Sequence, residues 1–247
     1  MSSPLPTSFE SYKSLQFLKL QDDKFDGDFL SSIFFSLQEL EVIRTAFNAF
    51  ISSVSIALMN CSRLKVVDFG GNRPTRFVLE ELCIVPPSLA SNGIKSYGLE
   101  QLLLLNNDLF RGVPLSLSNC SNLITLNLSF NQLSSTIPNE LSYLANLERL
   151  SLWYNRLIGH VPSELGNLAR LRSLNLNNHL LSDYIPVSIS RCTNLEWLNL
   201  NNNHLIGVIP RELGMPFKDM DSEGSLSTSQ SMPFCSLIVR LVRCKHL

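Results

Sequence analysis

The residues that could carry out chemistry in this chain are an Asp-Phe-Gly triplet, four histidines and six cysteines. Asp68-Phe69-Gly70 is the triplet that holds magnesium in protein kinases. However, only 67 residues precede Asp68, and neither a glycine-rich loop nor the Val-Ala-Ile-Lys and His-Arg-Asp sequences accompany it. Phe69 also falls where a repeated apolar pattern requires an inward residue. We therefore interpret the triplet as part of that pattern.

The histidines do not belong to a catalytic motif. No HExxH, GxSxG or Walker sequence is present. His160, His204 and His246 fall in turns or in the C-terminal tail, and His179 replaces an asparagine that recurs in neighbouring segments. The sequence therefore predicts a protein that is not an enzyme, with no cofactor and no metal site.

The cysteines are widely spaced and include no CxxC pair, which argues against zinc binding and thioredoxin-type chemistry. Cys61, Cys120 and Cys192 each lie three residues before a repeat-starting leucine, a position that holds leucine in sister segments. We expect these three to be small buried apolar residues. Cys235 and Cys244 are a candidate disulfide pair at the C-terminal end.

Composition limits the classes of partner. The chain has 247 residues, of which 45% are hydrophobic, and a formal net charge of -1. This composition is typical of a core-forming chain and provides no positive field for nucleic acid. No uninterrupted apolar run is long enough to span a membrane, and the first residues lack the pattern of a secretory signal. From these features alone we expect no exporting or anchoring segment.

The elements that position these residues come from an internal repeat. Five segments of 24 residues follow one another without insertion, and each opens with the pattern LxxLxL. The segments start at Leu99, Leu123, Leu147, Leu171 and Leu195. Their prolines keep the same step, at Pro114, Pro138, Pro162, Pro186 and Pro210. The alternating opening predicts a short strand with one buried face, and the proline predicts a turn back at the same point of every unit.

A polar residue follows each predicted strand at a constant position. Its members are Asn107, Asn131, Asn155, His179 and Asn203. An amide at a strand exit can satisfy backbone groups in the turn beneath it, so stacked units predict a buried polar ladder with His179 as its weak member.

Weaker units precede the regular ones. The first keeps the apolar spacing with Leu15, Leu18, Leu20 and Phe25, and Asp23 stands at the asparagine position. The second is placed on Leu37, Leu40, Val42 and Phe47, with Thr45 at the asparagine position and a length of 27.

The third unit carries Leu64, Val67, Phe69 and Asn72, but the next one starts 35 residues after Leu64. This predicts an irregular insertion within 73–98, in which the segment 85–89 resembles a displaced proline turn.

We therefore predict three parts: degenerate repeats over 1–98, five regular repeats over 99–216, and a non-repeat, partly flexible tail over 217–247. The final apolar stretch either covers the end of the array or has no evolved role. A single unit cannot bury enough apolar surface, so the units must stack. The expected fold is an α/β repeat solenoid of about eight coils, with a concave parallel sheet and short 3-10 or α turns on the convex side.

The repeat pattern LxxLxLxxNxLxGxIPxxLxxL, clearest in LERLSLWYNRLIGHVPSELGNL, resembles the plant-type leucine-rich repeat of receptor-like kinases, receptor-like proteins and polygalacturonase inhibitors. The match is tight over 99–213 and loose over 15–98. Gly159 and Gly207 keep the family's glycine, whereas Arg111, Ser135 and Asp183 replace it. The kinase and the cysteine-paired N-terminal cap of the family are missing from this sequence.

The resemblance implies a leucine-rich repeat horseshoe that recognises a protein or peptide ligand through its concave face, as receptor ectodomains do. A co-receptor is a further candidate partner, and the implied location is the plasma membrane or the extracellular space. The alternatives are an intracellular scaffold, a binder similar to polygalacturonase inhibitors, and a truncated receptor remnant without ligand.

The strand pattern turns the residues between the inward leucines toward the concave face. The residues that we expect to bind a partner there are Phe130, Arg149, Trp153, Tyr154, Trp197 and Asn177. Phe130, Trp153 and Tyr154 should cluster on adjacent coils. The alternative is that these aromatic residues only cover one another on an idle surface.

Three Asn-X-Ser sequons are candidate glycosylation sites, at Asn60, Asn119 and Asn127. A glycan would imply passage through the secretory pathway. However, a chain built on repeated asparagines also acquires such triplets by chance.

Overall fold

The computed structural model describes residues 4–27, 31–51, 58, 61–74, 83, 98–213 and 238–240. One α-helix, α1 (Ser31–Ser36), lies in these ranges, among short strands and 3-10 turns. In chain order the strands are β1 (Phe17–Lys19), β2 (Asp26–Gly27), β3 (Val42–Arg44), β4 (Ala49–Phe50), β5 (Val66–Asp68), β6 (Gln101–Leu103), β7 (Phe110–Arg111), β8 (Thr125–Asn127), β9 (Gln132–Thr136), β10 (Arg149–Ser151), β11 (Arg156–Gly159), β12 (Ser173–Asn175), β13 (Leu180–Tyr184), β14 (Trp197–Asn199), β15 (His204–Ile206) and β16 (Ile238–Arg240).

The largest sheet confirms the predicted solenoid. Its order is β1-β3-β5-β6-β8-β10-β12-β14-β16, and all neighbours are parallel except the last pair. The eight parallel strands define coils one to eight, in that order. We call the outward surface of this sheet the strand face, and it corresponds to the surface that the sequence predicts to be concave.

Leucines at equal positions of successive coils hold the core together. Leu150 of β10 lies in register with Leu126 and Leu174 on the two neighbouring strands, and all three side chains are fully buried. The alternation of the LxL opening therefore places every second side chain in a continuous stack of aliphatic groups.

The return segments form the predicted short turns. Between the prolines and the next strands, 3-10 turns span Leu115–Asn119, Asn139–Tyr143, Ser163–Asn167, Val187–Arg191 and Arg211–Leu213. The preceding Pro138 and Pro162 have φ values of -65° and -62°, as the pyrrolidine ring requires. Each turn buries one apolar residue, for example Leu165.

A second parallel sheet was not predicted from the sequence. Its order is β15-β13-β11-β9-β7, and each strand follows the ladder asparagine or His179 of its coil. The glycine and proline nearby favoured a turn in the sequence pattern. Stacking supplies the strand pairing instead, because each of these segments has an identical neighbour one coil away.

The sequence prediction for coil two was wrong in its register. Ile43, not Val42, is the fully buried strand residue. Asn48, not Thr45, occupies the asparagine position, and its Oδ1 accepts a backbone N–H at 3.0 Å. The residue in register with Ile43 lies 24 positions later, so the unit starts at Leu40 and is not 27 residues long. Both registers place aliphatic residues inward, and strand pairing decides between them.

The cysteines correct a second prediction. Cys120 is buried as expected, but it forms a disulfide with Cys83, 37 residues earlier in the chain. Cys83 belongs to the insertion, so the bond joins the irregular unit to the regular array. Cys61 and Cys192 are buried free thiols, as predicted, and burial raises the pKa of Cys61 to about 12.

The end of the array is covered on its last strand. β16 pairs antiparallel with β14, which is the covering role that the sequence left as one alternative for the tail. Several predictions concern residues outside the described ranges: Asn60, the proline segment at 85–89, and the tail residues 217–237 and 241–247 with Cys235 and Cys244.

The family's glycine position has left-handed backbone in all five regular coils. The φ values are 80° at Gly159 and 85° at Gly207, and they are 77° at Arg111, 84° at Ser135 and 72° at Asp183. Side chains with a Cβ are strained in this region, so the three replacements cost stability.

We expect Ser135→Gly to raise the free energy of unfolding by about 0.5–1 kcal/mol, because relief of the left-handed strain exceeds the added chain entropy of glycine. Ser134→Gly is the matched control, since Ser134 is the preceding residue of the same strand and has no positive φ. It should lower stability by a similar amount. Urea unfolding measures both, and a loss of stability in Ser135→Gly would contradict the strain assignment.

Candidate binding surface

The asparagine ladder fixes the point at which each coil leaves the strand face. Asn131 accepts the Leu109 N–H at 3.0 Å through Oδ1, and its Nδ2 donates to the carbonyls of Leu104 and Leu128, both at 2.9 Å. These partners lie on its own coil and the preceding one. Equivalent bonds are made by Asn107, Asn155 and Asn203, and also by Asn72 and Asn48 of the degenerate coils. The predicted ladder is therefore present and extends further than predicted.

His179 is the defective member of the ladder. Its side chain is 5% exposed, and neither ring nitrogen has a hydrogen-bond partner within the described structure. Burial lowers the pKa of His179 to about 4, while backbone groups of Asn155 and Leu152 oppose this shift in part. The ring is therefore neutral at physiological pH, which agrees with a structural role.

The Asp-Phe-Gly triplet lies in the repeat, as predicted. Phe69 is 1% exposed, and Asp68 Oδ1 accepts the Gly70 N–H at 3.2 Å. Burial raises the pKa of Asp68, and the Gly70 hydrogen bond and the charge of Arg44 oppose the rise. Among the described residues, no group of three or more His, Cys, Asp or Glu side chains is arranged to hold a metal ion.

Three aromatic rings meet where coils five and six leave the strand face. The Phe130 ring stacks on Tyr154, with centroids 4.8 Å apart and planes 16° apart. Trp153 contacts both rings edge to face, with centroid distances of 4.4 Å to Phe130 and 5.7 Å to Tyr154. We call these three residues the aromatic cluster. The sequence predicted this juxtaposition, which arises because the residues occupy adjacent positions on adjacent coils.

The backbone holds two members of the cluster in an unfavourable conformation. Phe130 and Tyr154 have φ values of 52° and 56°, in the left-handed region. Five other coils place Asp, Gly or Asn at this position, which tolerate it better: Asp22, Gly71, Asn106, Asn178 and Asn202. Bulky residues there cost on the order of 1–3 kcal/mol each. Phe130 is 38% and Tyr154 52% exposed, so burial compensates only part of that cost.

The other predicted binding residues are dispersed. Arg149 is exposed on β10 and forms no ion pair among the described residues. Trp197, 37% exposed, lies in the same column two strands away, with Ser173 between them. Asn177 was expected to be exposed, but this was wrong, because only 6% of it is accessible.

Ion pairs along the edge of the strand face neutralise the neighbouring charges. Arg172 lies 2.7 Å from Glu196 and 3.6 Å from Glu148 on the adjacent coils. Coils seven and eight also carry amides, including an Asn202 Nδ2 that donates to Asn178 Oδ1 at 2.8 Å. The surface therefore combines an aromatic cluster, one unpaired cation and neutral amides.

Comparison with known proteins agrees with this architecture. Residues 145–205 and 122–144 match family models described as leucine rich repeat. A search of curated protein sequences found no match. The chain is a leucine-rich-repeat protein whose repeats resemble those of plant receptor ectodomains.

Solved structures share the fold over most of this chain. The PEPR1–AtPEP1 complex has a TM-score of 0.72 and 32% identity, covering 86% of this chain and 28% of that chain. The plant peptide hormone receptor RGFR1 in complex with RGF2 has a TM-score of 0.63 and 28% identity, covering 83% and 35%. A leucine-rich-repeat protein of Leptospira interrogans has a TM-score of 0.70 and 30% identity, covering 85% and 49%.

The chain therefore spans less than half the length of each of these proteins. No helix in the described ranges has the length and apolar character that a membrane span requires.

Proposed function

We propose that this chain is a non-catalytic recognition module that binds a protein or peptide partner through the aromatic cluster on its strand face. The observation that carries the proposal is the cluster itself: Phe130 and Tyr154 are held in left-handed backbone and remain substantially exposed. Strained and exposed aromatic residues are typical of functional surfaces.

Similarity to receptor ectodomains supports the same class of function. The RGFR1 structure is named as a plant peptide hormone receptor in complex with RGF2. A peptide partner, and a location at the plasma membrane or outside the cell, are the corresponding proposals for this chain. The intracellular scaffold remains the second candidate, because leucine-rich-repeat solenoids also occur in a bacterial protein.

The chemistry of the cluster defines the partner it would accept. Stacked and edge-to-face rings present a wide apolar surface at low entropic cost, and aromatic residues dominate binding hot spots. Arg149 on the same coil supplies a cation without a competing ion pair. The partner should therefore place an apolar or aromatic side chain on the rings, with an acceptor or carboxylate toward Arg149.

Replacing Trp153 and Tyr154 together by alanine should weaken partner capture by at least about 2 kcal/mol, or about 30-fold, because both are expected hot-spot residues. Titrated pull-downs from the source tissue with immobilised protein, quantified by mass spectrometry, measure the change. Phe110→Ala with Tyr143→Ala is the matched control, since both are exposed aromatic residues away from the cluster, at 56% and 70%. Circular dichroism and thermal unfolding establish that the variants fold.

The proposal fails if the double variant captures every partner as well as the wild type while keeping its fold. That result would favour the scaffold alternative. Equal weakening by the control pair would instead show that capture depends on general surface hydrophobicity and not on this cluster.

A further inference from the structure

Two Asn-X-Ser sequons lie in the described part of the chain, and their surroundings differ. Asn119 is the last residue of the 3-10 turn Leu115–Asn119 and is exposed. Asn127 is the last residue of β8 in the middle of the nine-stranded sheet, and its Oδ1 accepts the Ser129 N–H at 3.1 Å. Ser129, which completes that sequon, is fully buried. Only the first site offers room for a bulky polar group.

The middle residue of the Asn119 sequon carries a second, independent mark. Cys120 is bonded to Cys83, and such bonds persist mainly in oxidising compartments. These are also the compartments through which N-glycosylated proteins pass. The sequon and the disulfide therefore point to the same cellular route.

We propose that Asn119 is an N-glycosylation site and that Asn127 is not one. Asn119 Nδ2 forms a bond to the anomeric carbon of a lipid-diphosphate-linked oligosaccharide. The anomeric C–O bond to the diphosphate breaks, the lipid diphosphate leaves, and Nδ2 loses one proton. The glycan stands on the return side of coil four, so it leaves the strand face and the aromatic cluster free.

The two modifications compete for one tripeptide. Forming the disulfide removes two protons and two electrons from Cys83 and Cys120, which a protein disulfide oxidant accepts. Once the bond exists, Cys120 is held in the buried core of coil four, and Asn119 next to it loses the freedom that an enzyme acting on the sequon requires. Because Cys83 is synthesised first, it is available when Cys120 emerges. Glycosylation of Asn119 is therefore incomplete whenever Cys83 is present.

Peptide mapping by mass spectrometry of the full-length protein, produced in its source cells, tests this proposal. We expect glycan on the Asn119 peptide and none on the Asn127 peptide. Ser121→Ala should abolish the glycan, whereas the conservative Ser121→Thr should retain it, since both hydroxyl residues complete a sequon. Neither substitution touches the disulfide, so folding is preserved. Cys83→Ser should raise the glycosylated fraction at Asn119.

An Asn119 peptide without glycan in the wild-type protein would overturn the site. Glycan on Asn127 would overturn the distinction between the two sequons, and an unchanged fraction in Cys83→Ser would overturn the competition. The outcome is independent of partner capture, because the proposed glycan and the aromatic cluster lie on different sides of the coils.

Discussion

Leu150→Ala is expected to lower the free energy of unfolding by about 2–5 kcal/mol, because the deleted atoms leave a cavity between two stacked coils. Leu150 is fully buried and lies in register with leucines on both neighbouring strands. Neither neighbour can collapse into the space without breaking its own register. The loss should therefore lie near the upper part of the usual range for a leucine truncation.

Leu18→Ala is the matched comparison at the N-terminal end. Leu18 is 3% exposed, so its static burial resembles that of Leu150, but β1 pairs only with β3 in the described structure. Terminal coils of a repeat array open locally at low cost. Truncation there should therefore cost less in denaturant unfolding monitored by circular dichroism. Equal losses in the two variants would contradict an array whose terminal coil frays.

The regular coils could be predicted from the sequence because each feature repeats with one step. A leucine such as Leu150 has equivalents one unit away on either side, so an error at one unit would conflict with its neighbours. The same redundancy identified the ladder asparagines and the meeting of Phe130, Trp153 and Tyr154. Local pattern and stacking agree at these positions, and agreement across levels is what specifies a structure.

Positions without a repeated equivalent could not be predicted. In coil two, Val42 and Ile43 are both aliphatic, so hydrophobicity alone does not select the register that strand pairing imposes. The Cys83–Cys120 disulfide depends on how an irregular insertion folds back over the next coil, and periodicity carries no information about that path. Its pairing is a property of the assembled chain.

Asn177 shows a further limit of the pattern. Strand alternation gives the direction in which a side chain leaves the backbone, but its exposure depends on the sizes of the side chains around it. A column that contains Trp153 one coil away and Asn201 on the other side does not expose all its members equally. The second sheet was missed for a related reason, since its pairing arises only once identical segments are stacked.

His179 predicts an acid sensitivity that the asparagine at its sister positions would not cause. In the folded chain the pKa of His179 is about 4, against a usual value of 6.5. Between these values the unfolded chain binds a proton that the folded chain does not. Stability conferred by the neutral ring is therefore complete above pH 6.5 and is lost as the pH falls toward 4. The difference of the two pKa values corresponds to roughly 3 kcal/mol.

His179→Asn should remove this loss and also raise stability at neutral pH. Asparagine at this position can accept the Leu157 N–H and donate to the Leu152 carbonyl, as sister residues do in their coils. Supplying partners to buried polar groups is worth about 1–3 kcal/mol. His204→Asn is the matched control, because His204 is an exposed residue of β15. Free energies of unfolding at pH 7 and pH 4 measure the effect. The wild type and the control should lose roughly 3 kcal/mol more than His179→Asn over that interval, and an equal loss in all three proteins would show that His179 is protonated in the folded chain.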